Sequence, residues 1–468
     1  MNMTSLTLQD KMFSELREKK IFDLARSYAY NYVDQIRQMD VFPAAEKLAD
    51  LSIFDEELPE VTCDARKVIA QLNTYGAPAT PAQTGGRYFG FVNGGVLPVA
   101  LATKWMTDFW DQCAGLYLTS PINAKLEEVC EKWLIELFKL PASTVAGFVS
   151  GTSLANLCGL GAARYRLLKN HGWDINQQGL QGSPELKIIA HKGIHGSIIK
   201  ALALLGFGRE NVLWVDADNQ GRIIVEAVPE LDDQTLLILQ AGNVNTGAFD
   251  PFDMICQKAR EAGAWVHIDG AFGLWAQASS TLSHLTDGLE HASSWAVDGH
   301  KTLNTPYDSG VILCRDKDAL IRAMQATGDY LMMADRREPL LYTPEMSKRA
   351  RAFELWAVLK YLGKEGVDEL VTSLHQKAVS LSDKLKARNF RIHNEVVFNQ
   401  VLVSFDNPNQ TNDALSRIQQ SGECWCGGTT WNDEPAIRIS ICSWATTEQD
   451  IDRTVNLFQE IRKSIADQ

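Results

Sequence analysis

Lys301 is an unusual lysine. It stands in "SSWAVDGHKTLNTPYDSGVILC" (293–314), between an apolar run and a Pro-Tyr-Asp-Ser-Gly turn that leads into a second apolar run. Most lysines lie on solvated faces, so an amine held between two strand-like segments is a candidate nucleophile. Three further stretches could carry chemistry. "FVSGTSLAN" (148–156) runs from a strand into a helix through Ser150, Gly151, Thr152 and Ser153. Free amides and hydroxyls at such a point suit an anion, although an ordinary N-cap has the same spacing. "AWVHIDGAFG" (264–273) ends an apolar run with His267 and Asp269. A carboxylate at a strand's carboxyl end is where α/β sheets place ligands, though by itself it reads equally as a turn residue or helix cap. "AHKGIHGSIIKALALLG" (190–206) brings His191 and His195 into a loop before a helix, where a cap or a surface role is equally open.

These residues need elements to hold them. From about residue 120, short apolar runs alternate with helical patterns. "TVAGFVS", "LKIIAH", "VLWV", "TLLILQAG" and "AWVHIDG" read as strands, and "SPINAKLEEVCEKWLIELFKL" and "PFDMICQKAREAG" as helices. Such alternation predicts a mostly parallel sheet covered by helices. After about 330 a long helical stretch, the strands "NQVLVSFD" and "AIRISIC", and a capped last helix predict a smaller α+β unit. The expected organisation is an N-terminal helical segment (1–75), a large domain (76–330) and a small C-terminal α+β domain (331–468).

The bulk composition narrows the function. With 468 residues and 45% hydrophobic content, the chain exceeds one simple core. A net charge of -13 argues against nucleic acid or an anionic membrane as partner. The first residues lack a signal-peptide pattern, and no apolar run approaches the ~18 residues of a membrane span. Nine scattered cysteines without a C-x-x-C pair suggest reduced thiols in a cytoplasmic protein. The histidines show no recurring ligand spacing, so no metal is expected. "GLGAAR" (159–164) lacks the third glycine of a dinucleotide fingerprint and falls inside a helix, which disfavours a nicotinamide site.

The order of the signals is more specific than any one of them: anion loop, loop histidine, strand-end Asp, then Lys about thirty residues on. Together with "RYFGFVNGG", "SPINAKLEEV", "SGTSLANL", "HGSIIKALALLG", "GAFDP", "HIDGAFG", "DGHKTLNTPYDSG", "RARAFELWAVLKYLGKEG" and "RISICSWATTEQDID", this order resembles the pyridoxal-phosphate (PLP) enzymes of aspartate-aminotransferase fold. Within them it resembles the amino-acid decarboxylases that include the glutamate and aromatic amino-acid enzymes. The resemblance implies decarboxylation of an L-amino acid to amine and CO₂ through a lysine Schiff base on Lys301. It gives Asp269 to the ring nitrogen, Ala271 and His195 to the ring faces, and Gly151, Thr152, Ser153 and His300 to the phosphate. Arg438 would take the substrate carboxylate, and Tyr342, on a mobile loop "REPLLYTPEMSK", would be a proton donor, with Tyr330 earlier in the same segment as the second choice. It also implies a homodimer, with helices 5–40 on the partner. The pattern departs from the family at Asn243 and Val244, where two threonines are usual, and at Thr302, where Trp or Phe is usual. Transamination or decarboxylation-dependent oxidative deamination is the alternative on the same cofactor, and a non-catalytic PLP-binding protein is a third reading.

Overall fold

The computed structural model describes residues 7–325 and 334–467. Its centre is a seven-stranded sheet of β1 (Val145–Val149), β2 (Lys187–His191), β3 (Val212–Val215), β4 (Thr235–Gln240), β5 (Trp265–Asp269), β6 (Ser294–Asp298) and β7 (Gly310–Cys314). The order across the sheet is β1-β7-β6-β5-β4-β2-β3. Every residue of β4, β5 and β6 is buried. Helices cover both faces of such strands, so they read as unbroken apolar runs rather than as alternation.

β7 runs antiparallel to both of its neighbours. The reason lies in the link 299–309. A parallel return needs a crossover of a dozen or more residues, and this link is shorter, so the chain must fold back. Lys301 sits in that link, which delivers it to the carboxyl ends of the parallel strands.

β1 is an edge strand, and its outer edge is covered by side chains. Glu131 accepts a hydrogen bond from the Ala146 N–H at 2.7 Å, Arg337 donates to the Ala146 carbonyl, and Lys348 donates to the Phe148 carbonyl at 3.3 Å. Arg337 is itself held by Glu127 at 2.9 Å and Glu131 at 2.8 Å. Charged cover of this kind satisfies an edge that would otherwise pair with another strand.

A second sheet follows, with β8 (Arg391–Ile392), β9 (Gln400–Ser404), β10 (Gly427–Trp431) and β11 (Glu434–Ser440) in the order β10-β11-β9-β8, all antiparallel. β9 and β11 answer to the strands read from the sequence. β8 has two residues and β10 is "GGTTW", too short or too polar to stand out as an apolar run. The helix Ala352–Lys386 breaks at Gly363, whose φ of 60° and ψ of -169° leave the helical region. The N-terminal stretch is two helices, Leu8–Glu18 and Lys20–Gln35, separated at Lys19 with φ 60°. Neither helix buries a residue. No helix among the described residues is long and apolar enough to cross a membrane.

Candidate active site

β5 and β6 end side by side, with Asp269 and Asp298 as their last residues. Asp298 organises much of what surrounds it. One of its oxygens accepts the Thr152 N–H at 2.7 Å, and the other lies 3.1 Å from Lys301 Nζ and 3.5 Å from His300 Nε2. Gly151 ends the helix Thr152–Asn170 without a capping side chain, so Asp298 caps it from the neighbouring strand. His300 accepts the Ser309 N–H through Nδ1 and stacks on Tyr307, with ring centroids 4.3 Å apart. Space here admits only glycine: a Cβ on Gly310 would come within 2.4 Å of the Gly151 Cα.

Asp269 is 4% exposed. Its Oδ1 accepts the Ala271 N–H at 3.2 Å and its Oδ2 accepts from Asn156 Nδ2 at 3.1 Å. Burial pushes its pKa up, while His195, Lys301 and Asn156 pull it down. His195 caps the helix Gly196–Leu204, accepting the Ser197 N–H at 3.2 Å through Nδ1. Its outer edge is open to solvent, yet burial of the rest lowers its pKa, and Lys301 and Arg438 lower it further against the pull of Asp269.

Arg438 reaches the same space from β11. It is half-buried, its Nε is enclosed without a partner, and burial lowers its pKa. Among the described residues no acidic side chain pairs with it. A partly desolvated guanidinium without a counter-ion suits a ligand carboxylate.

The structure therefore gathers Lys301, His300, Gly151, Thr152, Asp269, Ala271, His195 and Arg438 around one set of strand ends. Ser153 lies beside Thr152 and is exposed. The Thr152 amide, expected to be free for an anion, is already bound by Asp298. Its hydroxyl is buried and has no partner. Tyr342 is placed elsewhere. It is 7% exposed, its ring lies under the Arg337 guanidinium at 4.3 Å, and its carbonyl faces Gly147 on β1. Gly147 is in register with Ile312 and so with Ala296 of β6, two strand spacings or roughly 10 Å away. The expected mobile loop is a buried segment at this point, because Arg337 anchors it to Glu127 and Glu131. Tyr330 lies outside the described residues.

Asp298 and Asn156 were not singled out as site residues by sequence, and His267 was noted beside Asp269 without a role. Asp298 had a signal, a carboxylate closing an apolar strand three residues before the lysine. His267 had one too, since it shares a strand face with Asp269 at a spacing of two.

The site fits pyridoxal phosphate. Lys301 offers an amine beside a buried carboxylate, Thr152 offers an unpartnered buried hydroxyl at a helix N-terminus, and Asp269 awaits a cation. Comparison with known proteins agrees. Residues 47–407 match the family described as the pyridoxal-dependent decarboxylase conserved domain. The chain is 29% identical over 354 residues to acidic amino acid decarboxylase GADL1 of Mus musculus, covering 72% of this chain and 62% of that protein. It is 30% identical over 305 residues to L-2,4-diaminobutyrate decarboxylase of Rhizobium meliloti (strain 1021), covering 62% and 57%. The matches thus span about three-fifths of the length of these curated relatives. Among solved structures, Oryza sativa TDC with PLP and tryptamine superimposes with a TM-score of 0.87 at 19% identity, over 97% of this chain and 98% of that one. Mouse CSAD gives 0.86 at 22% identity, over 95% and 98%. At such identities the structural likeness speaks for the fold.

Proposed function

The chain belongs to the pyridoxal-dependent decarboxylase family, and from that premise we propose that it removes the α-carboxylate of an L-amino acid, yielding an amine and CO₂. The observation that carries the reading is Arg438, a half-buried cation without an acidic partner among the described residues, whose charge is felt at His195. When bound, pyridoxal phosphate supplies an electron sink for the bonding pair left behind as CO₂ departs.

The protein's own groups do the rest. Lys301 Nζ, held in place by Asp298, would be the amine that holds the cofactor through its aldehyde carbon. Asp269 keeps a proton on the ring nitrogen by opposing its positive charge. Arg438 fixes the substrate carboxylate with its planar fork and so selects which bond to Cα is aligned for cleavage. Gly151, Thr152, Ser153 and His300 receive the phosphate, and His195 and Ala271 confine the ring. The relatives named above act on acidic amino acids and on diaminobutyrate, which share an α-amino-acid head and differ in side chain. The reading accordingly commits to the head group that Arg438 holds.

We also place the active protein as a homodimer in the cytoplasm. Leu8, Met12 and Leu16 form an apolar stripe at i, i+4, i+8, each more than half exposed, on a helix that buries none of its own residues. A second copy would cover it. All nine cysteines are free thiols, which suits a reducing compartment.

The test is product analysis after incubation with PLP and each amino acid, with borohydride trapping in parallel. Equimolar amine and CO₂ and an adduct on Lys301 are expected. A ketoacid or aldehyde as the main product would replace the reading with transamination or oxidative deamination. An adduct without turnover would replace it with a non-catalytic PLP-binding protein.

A further inference from the structure

Asp269 does not stand alone in the interior. A string of hydrogen bonds runs to it from β5 and β6 through the helix Thr152–Asn170. Trp265 Nε1 lies 2.9 Å from Ser294 Oγ, Ser294 Oγ 2.8 Å from His267 Nδ1, and His267 Nε2 2.9 Å from Asn156 Oδ1. Asn156 Nδ2 then reaches Asp269 Oδ2 at 3.1 Å and Ser197 Oγ at 3.2 Å, and Ser197 Oγ lies 2.8 Å from His195 Nδ1. Asn156, His267 and Ser294 are fully enclosed, at 0% exposure.

The direction of every bond can be deduced. Asn156 donates through Nδ2 to Asp269 Oδ2, the orientation that an ionised carboxylate, which can only accept, requires. Its oxygen then faces His267, whose Nε2 must carry the hydrogen. His267 is neutral, since burial drives its pKa down to about 3. Its Nδ1 is therefore bare and accepts from the Ser294 hydroxyl. Ser294 in turn accepts from the Trp265 indole, which can only donate. On the other branch, the Ser197 N–H and hydroxyl both point at His195 Nδ1, so a neutral His195 carries its hydrogen on Nε2. All the donors run toward the site.

We propose that Asn156, locked in orientation by His267, is a positioning residue that presents one amide hydrogen to Asp269 and the other, through Ser197, to His195. The two residues expected to touch the cofactor ring are thereby set together by one buried amide. The inference rests on the proposed function and deepens it. With the amide turned over, Asn156 would face Asp269 with an oxygen, which the carboxylate tolerates only when protonated. Among the described residues, Asn156, the Ala271 amide, His195 and Lys301 act on Asp269. The His267 pKa shift has burial as its one cause, with no charged neighbour contributing.

The sequence makes room for this arrangement. A Cβ on Gly159 would lie 2.6 Å from the His267 ring, so a glycine is required where the helix passes it. Gly161 likewise gives way to Met324, at 2.9 Å from a would-be Cβ. These are the glycines of "GLGAAR", and they are there for packing rather than for a dinucleotide.

The test starts in the cofactor-free protein, where ¹⁵N-edited NMR reads the His267 tautomer directly. The Nε2–H form is expected to persist from pH 5 to 9. His267→Phe frees Asn156 to turn and should weaken PLP binding by about tenfold, the loss expected when the Asn156 hydrogen bond to the Asp269 carboxylate goes. It should also move the acid limb of kcat/KM, and the visible absorbance titration of bound PLP, upward by about one pH unit. His267→Gln, which can still donate to Asn156, should restore both. An Nδ1–H tautomer in the wild type, or a His267→Phe protein with wild-type affinity and titration, would overturn the proposal. If borohydride finds no cofactor on Lys301, the proposed function falls, and the tautomer measurement still decides the orientation of Asn156.

Discussion

Two clusters of buried charge belong to the same sheet and differ in how fully they are matched. At the β1 edge, Arg337 meets Glu127, Glu131 and the Ala146 carbonyl, and burial of the guanidinium is more than offset by its two carboxylates. At the strand ends, Lys301 has Asp298, but Asp269 and Arg438 have no ion-pair partner among the described residues. Burial moves each of them toward its neutral form. A completed buried network fixes a conformation. A buried charge left without a partner raises the free energy of the empty site, and a ligand that supplies the missing charge recovers it. The first cluster is built for shape and the second for chemistry.

The largest effect should come from Asp269→Asn. It keeps the shape and removes the charge, and turnover should fall by about 10³-fold or more in a single-turnover amine assay. Thermal stability should hold or rise, because an unmatched buried carboxylate is gone. A loss below about tenfold, only ~1.4 kcal/mol in barrier, would erase the contrast between the clusters. Arg337→Met should show the opposite pattern. It strands two carboxylates and should cost about 3–5 kcal/mol in urea unfolding, while the folded fraction keeps kcat within about twofold.

The third prediction concerns pH. The His267 pKa falls from 6.5 to about 3 on folding. Unfolded chains therefore take up a proton below about 6.5 that the native state refuses. The contribution of His267 is fully present above that pH and is lost progressively as pH falls toward 3. The slope approaches about 1.4 kcal/mol per pH unit, and urea unfolding of His267→Gln from pH 7 to 4.5 should flatten by that amount. The smallest effect is the control. The Lys364–Glu136 pair lies on the surface with both side chains well exposed. Lys364→Ala should change stability by less than about 0.5 kcal/mol.

Much of this architecture could be read from the sequence. Unbroken apolar runs gave away the central strands because burial on both faces leaves no alternation. Lys301 and Asp269 stood out because each is a charged residue attached to such a run. Tyr342 lies on a held segment rather than a loose one, for a physical reason. Two prolines and few apolar anchors made its segment look loose, but it is held by Arg337, whose partners Glu127 and Glu131 lie some two hundred residues earlier. Asn156 and His267 were hidden in the same way, since their bond joins positions 111 residues apart. Local pattern reports what a residue prefers, not which distant group will satisfy it.

The sealed edge of β1 also has a consequence in time. Arg337 is made 191 residues after Ala146, whose carbonyl it closes. At a synthesis rate of about 5–20 residues per second, that interval is roughly 10 to 40 s. For that long a nascent chain carries β1 with its outer carbonyls open, Glu131 alone being already made to take the Ala146 N–H, and neighbouring chains on one message would expose the same edge together. The final fold is protected from strand-to-strand association there, and the growing one is not. Slow translation between codons 146 and 337 should therefore lower soluble yield without altering the protein that is recovered.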